Sequence, residues 1–547
     1  MKNKIISLAL LITFIAGFTF IKNGDIYYEV SKNIDVFGKI YKEITFNYVD
    51  EINPSEFIKA GIKGMLDKLD PYTVFIDESR KSDIDILTNG KYGGIGVSIG
   101  IQNNQVKITE IIEGYPAARQ GIKIGDIILE VDGFKVSADN YDEVSPRVKG
   151  EPGTPIELKI LRYNRKDTLI FKMVREEILL KSLAYYGFYP SNSNNVYLKL
   201  NNFNKTAAAE IQSAIKKLRN EKEIKSIILD LRGNPGGLLE SAIEVSDKFL
   251  NKGLLIVSTR GKDISSEKKY YSSEEPLVKN EKLIILINEN SASASEIVAG
   301  AIQDHDRGII LGTQSFGKGL VQTITPITND VSLKITTARY YTPSGRCIQK
   351  VDYSKDNKVV KLADKDSVNN FFTDNLRKVY AFGGITPDTI VENIFRNNLI
   401  DELLSQGIIY EFVDEYTSDY SLTQFEKDSD ANVFNKFVEF VRKNPGKLKL
   451  DSSKKISELI STFKSDSTYK RYISDLENIQ KKIDESAFQL LKKQEYEITG
   501  IIKIELVRRF YDSKKSIEES LKRDNQIKIA LDLLNDNEKY NRTLNKE

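Results

Sequence analysis

The chain has 547 residues, too many for one hydrophobic core, so three or four domains are expected. Its 80 basic and 78 acidic side chains cancel to a formal charge of +2, which leaves no global electrostatic footprint for nucleic acid. A single Cys and a single His exclude an intramolecular disulfide, a cysteine-rich metal cluster and a zinc hydrolase built on several histidines.

Lys2 and Lys4 precede an uncharged apolar run from Ile5 to Ile21, which ends at Lys22. As a helix this run would span about 26 Å at roughly 1.5 Å per residue, close to a ~30 Å hydrocarbon core. No small-x-small cleavage site follows it, so residues 1–22 are expected to anchor an exported body rather than to be a cleaved signal. Residues 23–91 read as a helical N-terminal domain. Phe37, Ile40, Ile44 and Tyr48 recur at helical spacing, and Asn53-Pro54-Ser55-Glu56 carries an N-cap, a first-turn proline and a capping-box acid. Leu69-Asp70-Pro71-Tyr72 closes the segment as a turn.

From Tyr92 the period changes to strands, with Gly93–Ile99, Val106–Ile108, Gly125–Leu129, 155–162 and 168–174 separated by turn residues such as Asp132-Gly133. Residues 196–312, within a core expected to span 178–399, alternate strand and helix. Strands are expected at Val196–Leu200, Ser226–Leu231, Leu254–Ser258, Leu283–Asn288 and Gly308–Gly312, and helices at Thr206–Leu218, Leu238–Leu250 and Ser293–Gln303. This alternation is the pattern of βαβ units and a mostly parallel sheet. Residues 400–547 are charged and helical and carry no nameable chemistry. They could serve self-association, giving a homo-oligomer, or hold an adaptor, and the sequence favours neither.

Three segments could carry chemistry. In Asn288–Ile297 a strand runs through tiny residues, Ser291-Ala292-Ser293-Ala294-Ser295, into a helix whose first N–H groups could stabilise an oxyanion. Taken alone, these serines suit a helix cap at least as well. In Ser315–Gln322 a lysine, Lys318, stands between two glycines beside apolar residues, without the upstream glycines of a P-loop. In Asp230-Leu231-Arg232-Gly233-Asn234-Pro235-Gly236-Gly237 a strand ends in a glycine-rich loop before a helix, a common α/β turn.

Together these segments resemble the carboxy-terminal processing, or tail-specific, serine proteases. The SASASE run at 291–296, then FGKG-x-x-Q at 316–322, and a DLRGN-type glycine loop appear in that family's order. Leu69–Thr73, Thr342–Arg346 and Gly383–Asp388 add to the likeness, which covers about residues 35–390. The resemblance implies a multidomain α/β and β fold. A PDZ domain at 92–177 would sit beside a crotonase-like, mostly parallel protease core, flanked by helical N- and C-terminal regions. It also implies a Ser-Lys endopeptidase with Ser293 as nucleophile, Lys318 as base and Gln322 positioning the lysine. Its oxyanion donors would be the backbone N–H groups of Ala294 and Gly237. Pro235 replaces a glycine of the family pattern without removing either donor.

The chemistry is coherent. A serine needs an adjacent base, and a lysine of ordinary pKa, about 10.4, is neutral only about once in 2,500 molecules at pH 7. Burial has to lower that value by roughly three units, about 4 kcal/mol. Phe316, Leu320 and Val321 are expected to supply the apolar cover, and Gln322 adds no charge. Gly94, Ile95, Gly96 and Val97 read as the PDZ carboxylate-binding loop, able to capture a free chain terminus while the peptide adds as a strand. His305 is expected at the surface, and Cys347 as buried filler in a strand-like run.

These features lead to a peptidase that acts on exported or envelope proteins with free C-termini. It would be tethered to the inner or cytoplasmic membrane through residues 5–21, on the periplasmic side. No metal, nucleotide or organic cofactor is implied. The rival readings are a catalytically silent PDZ scaffold in the cell envelope and a small-ligand carrier on the same fold.

Overall fold

The computed structural model describes residues 26–546 apart from 78–79, 165–166, 330, 354–359, 362–369, 382, 395–397, 445–447 and 449. The expected anchor, Ile5 to Ile21, lies outside the described residues. Among those described, no helix is long and apolar enough to cross a membrane.

The centre is a six-stranded sheet in the order Leu183–Phe188, Asn195–Leu200, Ser226–Asp230, Lys282–Ile287, Ile309–Gly312, Thr389–Ile390. The first pair is antiparallel and every later pair is parallel. Ser226–Asp230 is buried at every position, as a strand covered on both faces must be. Ile227, Leu229, Leu283, Ile285 and Ile287 share one core with the helices Ala207–Glu221, Leu239–Asp247 and Ala294–Asp304. Alternate residues Ile228, Ile284 and Leu286 point the other way, into a core completed by Ile527, Leu533, Leu534 and Tyr540. The 400–547 region is therefore helical as expected but divides in two. Helices from Asn398 to Phe510 form a core of their own. Those from Ser513 to Thr543 become the second layer of the central sheet, where the Tyr540 hydroxyl bonds both the N–H and the carbonyl of Leu283.

Two expectations fail in this part of the chain. The strand Leu255–Arg260 does not join the parallel sheet. It pairs antiparallel with Lys268–Tyr271 and with Ser332–Tyr341 in a separate sheet that also holds Leu320–Pro326 and Val74–Ile76. Among the described residues, the 23–91 region is helical over 26–47, Pro54–Leu66 and Lys81–Asn89 only. The β-branched and aromatic run Val74–Ile76 finds a strand edge to pair with, and it becomes a strand.

The strands of 97–174 form a separate antiparallel sheet, with Val97–Gln102 at its edge, around the core residues Ile95, Val106, Ile108, Val144 and Leu158. The unit is docked on the helix Ile408–Asp419, whose apolar side belongs to the helical core. Its other side presents Glu411 to Asn103, Asp414 to Lys107 at 3.2 Å, and Glu415 to Tyr163 at 3.2 Å. Asp414 also pairs with Arg509 at 2.8 Å, and all three charged side chains are at most 6% exposed. Two positive charges thus share one buried carboxylate, and Arg509 Nε and Nη1 find no acceptor. Breaking such a cluster leaves cations out of water, at a cost of about 3–5 kcal/mol. Asp414→Asn is expected to lower the melting temperature and to speed hydrogen exchange in Gln105–Ile111, both read on the full chain. Unchanged protection there would show that the cluster does not hold the two units together.

Candidate active site

Three neighbouring parallel strands deliver the three motifs to one place. The glycine loop leaves the C-terminal end of Ser226–Asp230, the serine loop leaves Lys282–Ile287, and the lysine loop follows Ile309–Gly312. The C-terminal ends of adjacent parallel strands are where α/β sheets place ligands.

The three serines have different surroundings. Ser291 is fully buried; its hydroxyl donates to the Leu231 carbonyl at 2.8 Å and accepts from the Asn288 N–H at 2.9 Å. Ser295, equally buried, donates to the Asn234 carbonyl at 2.9 Å. Ser293 is half-buried; its hydroxyl, which closes a capping box with Glu296, donates to no acceptor among the described residues. It immediately precedes the helix Ala294–Asp304 with φ 55° and ψ −112°, a backbone state that costs a non-glycine residue of order 1–3 kcal/mol. Strained strand-to-helix turns of this kind display nucleophiles.

The glycine loop lies directly against this turn. A Cβ on Gly236 would come within 2.9 Å of Ser293 Cβ and 3.0 Å of the Ala294 nitrogen, so no side chain fits there. Asn234, which sequence reasoning passed over, organises the loop. Its side chain bonds the Gly236 N–H and the Leu200 carbonyl at 2.9 Å each, and its carbonyl accepts from the Ala292 N–H and from Ser295. The N–H groups of Ala294 and Gly237 have no acceptor among the described residues. Pro235, which has no N–H, is exposed.

Glu296, present in the sequence only as the last residue of the SASASE run, has a role that sequence reasoning missed. Fully buried, its carboxylate accepts from Ser293 N–H at 2.8 Å, Ser315 Oγ at 2.6 Å, Gly317 N–H at 2.7 Å and Lys318 N–H at 3.0 Å. Ser293 and Lys318 therefore donate to the same oxygen. Burial pushes the Glu296 carboxyl up to about 7, against the pull of these four donors.

Lys318 is half-buried, and its amine lies 4.4 Å from the centroid of the Tyr72 ring. No hydrogen bond joins it to Ser293 Oγ. Burial lowers its pKa to about 8, with Lys334 assisting and Glu296 and Asp70 opposing. An aromatic face favours a cation by roughly 0.5–2 kcal/mol, and a pKa unit is about 1.4 kcal/mol. Burial is the largest influence that lowers the value, and the ring's attraction for a cation acts against it. The expected cover is partly wrong. Leu320 is buried, but Phe316 is 44% exposed, and Tyr72 supplies the ring over the amine. Gln322 does not touch the lysine; it donates to Thr336 Oγ1 at 3.2 Å, which in turn donates to Asp70.

His305 is not at the surface. It is 8% exposed, with one ring nitrogen 2.7 Å from Asp374 and the other 2.7 Å from the Leu255 carbonyl. Cys347 lies in irregular backbone and is only part-buried. In the 97–174 unit, Gly94 pairs with Glu176 and Val97 with Ile111, while the N–H groups of Ile95 and Gly96 have no acceptor among the described residues.

A three-layered α/β/α core with a serine loop, a glycine loop and a lysine loop at the C-terminal ends of adjacent strands, beside a small antiparallel unit, defines a serine-type peptidase carrying a PDZ domain. The model for Peptidase family S41 matches residues 194–359 and that for the PDZ domain residues 107–162. Flanking matches are the "Activating protease CtpB N-terminal domain" at 21–80 and the "Probable PDZ-protease, C-terminal helical domain" at 399–534. A carboxy-terminal-processing protease of Bartonella bacilliformis is 40% identical over 328 residues, 59% of this chain and 74% of that protein. A "Probable CtpA-like serine protease" of Staphylococcus aureus is 32% identical over 320 residues, 58% of this chain and 62% of its own length. Among solved structures, the photosystem II D1 C-terminal processing protease aligns over 65% of this chain and 92% of its own, at 23% identity and a TM-score of 0.36. The chain belongs to the carboxy-terminal-processing proteases of peptidase family S41.

Glu296→Gln tests the junction. An amide offers one oxygen where four donors converge, so at least two lose their acceptor, at about 1–3 kcal/mol each. The expected outcome is a fall in kcat of about tenfold to a hundredfold with the far-ultraviolet circular dichroism unchanged. An unaltered kcat would show that the carboxylate does not hold the loops in register.

Proposed function

We propose that Ser293 is the nucleophile and Lys318 its general base, and that the PDZ domain presents protein C-termini to this pair. The carrying observation is that, of the three clustered serines, Ser293 alone keeps some exposure and donates its hydroxyl to no carbonyl. The neutral Lys318 amine, swung from Tyr72 to Ser293, takes the hydroxyl proton as Oγ attacks the scissile carbonyl. The tetrahedral oxygen is received by the N–H groups of Ala294 and Gly237. The resulting ammonium then protonates the leaving amine, and a water molecule, deprotonated by the same lysine, releases the acyl group. Gln322 acts one step removed, by fixing Thr336 and the Asp70 turn that places Tyr72 beside the lysine.

The free N–H groups at Ile95 and Gly96 suit a terminal carboxylate, and the open edge of Val97–Gln102 suits strand addition by the residues before it. A crystal structure of the Vibrio cholerae carboxy-terminal protease's PDZ domain, solved with a peptide, aligns over 16% of this chain at 26% identity and a TM-score of 0.16. The substrates on this reading are exported or envelope proteins, reached by a body that residues 5–21 tether to the membrane. The domain limits read from the sequence, 92–177 for the PDZ domain and 178–399 for the protease core, are kept in this proposal, with the helices from Ser513 added to the core.

The test uses an unfolded substrate protein ending in an apolar, free C-terminus. Ser293→Ala is expected to abolish cleavage. Ser291→Ala and Ser295→Ala should keep the nucleophile but lose a buried hydrogen bond, about 1–3 kcal/mol of stability. Amidating the substrate's terminus should raise KM and leave kcat. Cleavage surviving in Ser293→Ala would move the nucleophile elsewhere. No cleavage by the wild type, with tail binding intact, would favour the silent scaffold.

A further inference from the structure

We propose that Tyr72 is a positioning residue for the proteolytic reaction: its ring is the lid that keeps water from the Lys318 amine and so decides where on the pH scale that amine can act. The inference rests on the Ser-Lys reading and adds to it a residue 246 positions upstream of the base.

Geometry carries the argument. The Lys318 amine stands 4.4 Å from the Tyr72 ring centroid and makes no hydrogen bond among the described residues. The apolar neighbour in its own loop, Phe316, turns outward. The ring is fixed in place. Asp70 accepts the Tyr72 N–H at 3.0 Å, the Thr73 N–H at 3.1 Å and the Thr73 hydroxyl at 3.1 Å. Thr336 closes the knot, with its hydroxyl on Asp70 at 3.0 Å and its N–H on Thr73 at 3.2 Å. Val74–Ile76 then pairs with Ser332–Tyr341, and Tyr353 meets the ring edge-on at 6.1 Å. The turn is thus bolted to the hairpin that begins two residues after Lys318.

The charges facing the amine come from every side. Glu296 on the nucleophile helix and Asp70 in the turn favour the ammonium, while Lys334 on the hairpin opposes it. Lys350 packs its Cβ beside Gly317. With charges of both signs present, exclusion of water is the largest influence on Lys318, and Tyr72 is the side chain whose ring lies over the amine.

The experiment is the pH dependence of kcat/KM for the full chain on an unstructured peptide with a free apolar C-terminus, between about pH 6 and 10. Deprotonation activates the base, so activity rises with pH, and the wild-type limb should be half complete near 8. Tyr72→Ala wets the amine and should move the limb to higher pH by about one unit or more, with roughly tenfold less activity at pH 7 that recovers at alkaline pH. Tyr72→Gln, which fills the space with a hydrated group, should do the same should the alanine variant fold poorly. Tyr72→Phe and Tyr72→Leu keep an apolar cover and should stay near the wild-type limb. A merely structural role would scale activity equally at every pH. A limb unmoved in both the Ala and Gln variants overturns the proposal. Lys318→Met is the control: activity surviving in it would reject the dyad itself rather than the lid.

Discussion

The site depends on a carboxylate that cannot reach water. Glu296 receives the N–H groups of Ser293, Gly317 and Lys318 and the hydroxyl of Ser315. Loops from two different strands are thereby tied to one side chain near the start of the helix Ala294–Asp304. Only an acceptor with two oxygens and about four lone-pair sites can satisfy that many donors at one point. The knot extends further. The Ser315 hydroxyl accepts the Ile385 N–H at 2.6 Å, so the Gly383–Asp388 segment is held by the same cluster. Without the acid, several backbone donors would be buried with no acceptor, and the serine and lysine loops would have no reason to share a register.

The other end of the helix Ala294–Asp304 is held by a second set of polar and charged groups. Gln303, Asp304 and Asp306 gather where carbonyl groups already make the field negative, an arrangement unfavourable on its own. Arg346, fully buried, answers with bonds to Gln303 and Asp304 at 2.7 and 2.8 Å, and Arg377 pairs with Asp306 at 2.6 Å and with Asp388. The Thr342–Arg346 and Gly383–Asp388 segments therefore brace the helix and are not part of the chemistry. The glycine loop has a comparable root. Arg232 is held by Asp230 within its own loop and, at 2.7 Å each, by Asp524 and Gln526 from the C-terminal helices. That clamp fixes the residue from which the glycine loop springs. It gives the last helices a place in the protease core that their charged surface does not advertise.

What was legible in the sequence was local. Strand, tiny-residue loop and helix are consecutive around Ser293, so periodicity and capping signals locate them. The glycines at 236 and 317 announce close approach before any partner is known. What was not legible depends on partners far along the chain. Tyr72 becomes the cover of Lys318 only because a turn and a three-residue strand dock on a distant hairpin. Phe316 was the plausible cover because it is adjacent, and adjacency does not fix direction. The strand Leu255–Arg260 has the same apolar run as its parallel neighbours, and only the antiparallel partner Lys268–Tyr271 that follows it diverts it to another sheet. His305 carries a polar signature that reads as surface, yet two acceptors brought by other segments make its burial tolerable. Glu296 stood in plain view, but an acid three residues into a helix is explained locally by capping, which hides its longer-range bonds.

The proposed base sits in a compromise that these contacts make intelligible. A carboxylate as near as Glu296 would ordinarily fix a lysine as ammonium, and a lysine in that state cannot take a proton. Here the acid's oxygens are engaged by four donors, which disperses its charge into the loops it joins, and Lys334 opposes what remains. Dryness then tips the balance, bringing the amine to about 8. At pH 7 roughly one lysine in ten is then neutral, against about one in 2,500 for the ordinary side chain. A much lower value would make the amine too weak to remove a serine proton, and a much higher one would leave it charged, so moderate cover by one half-buried ring fits the task better than complete burial.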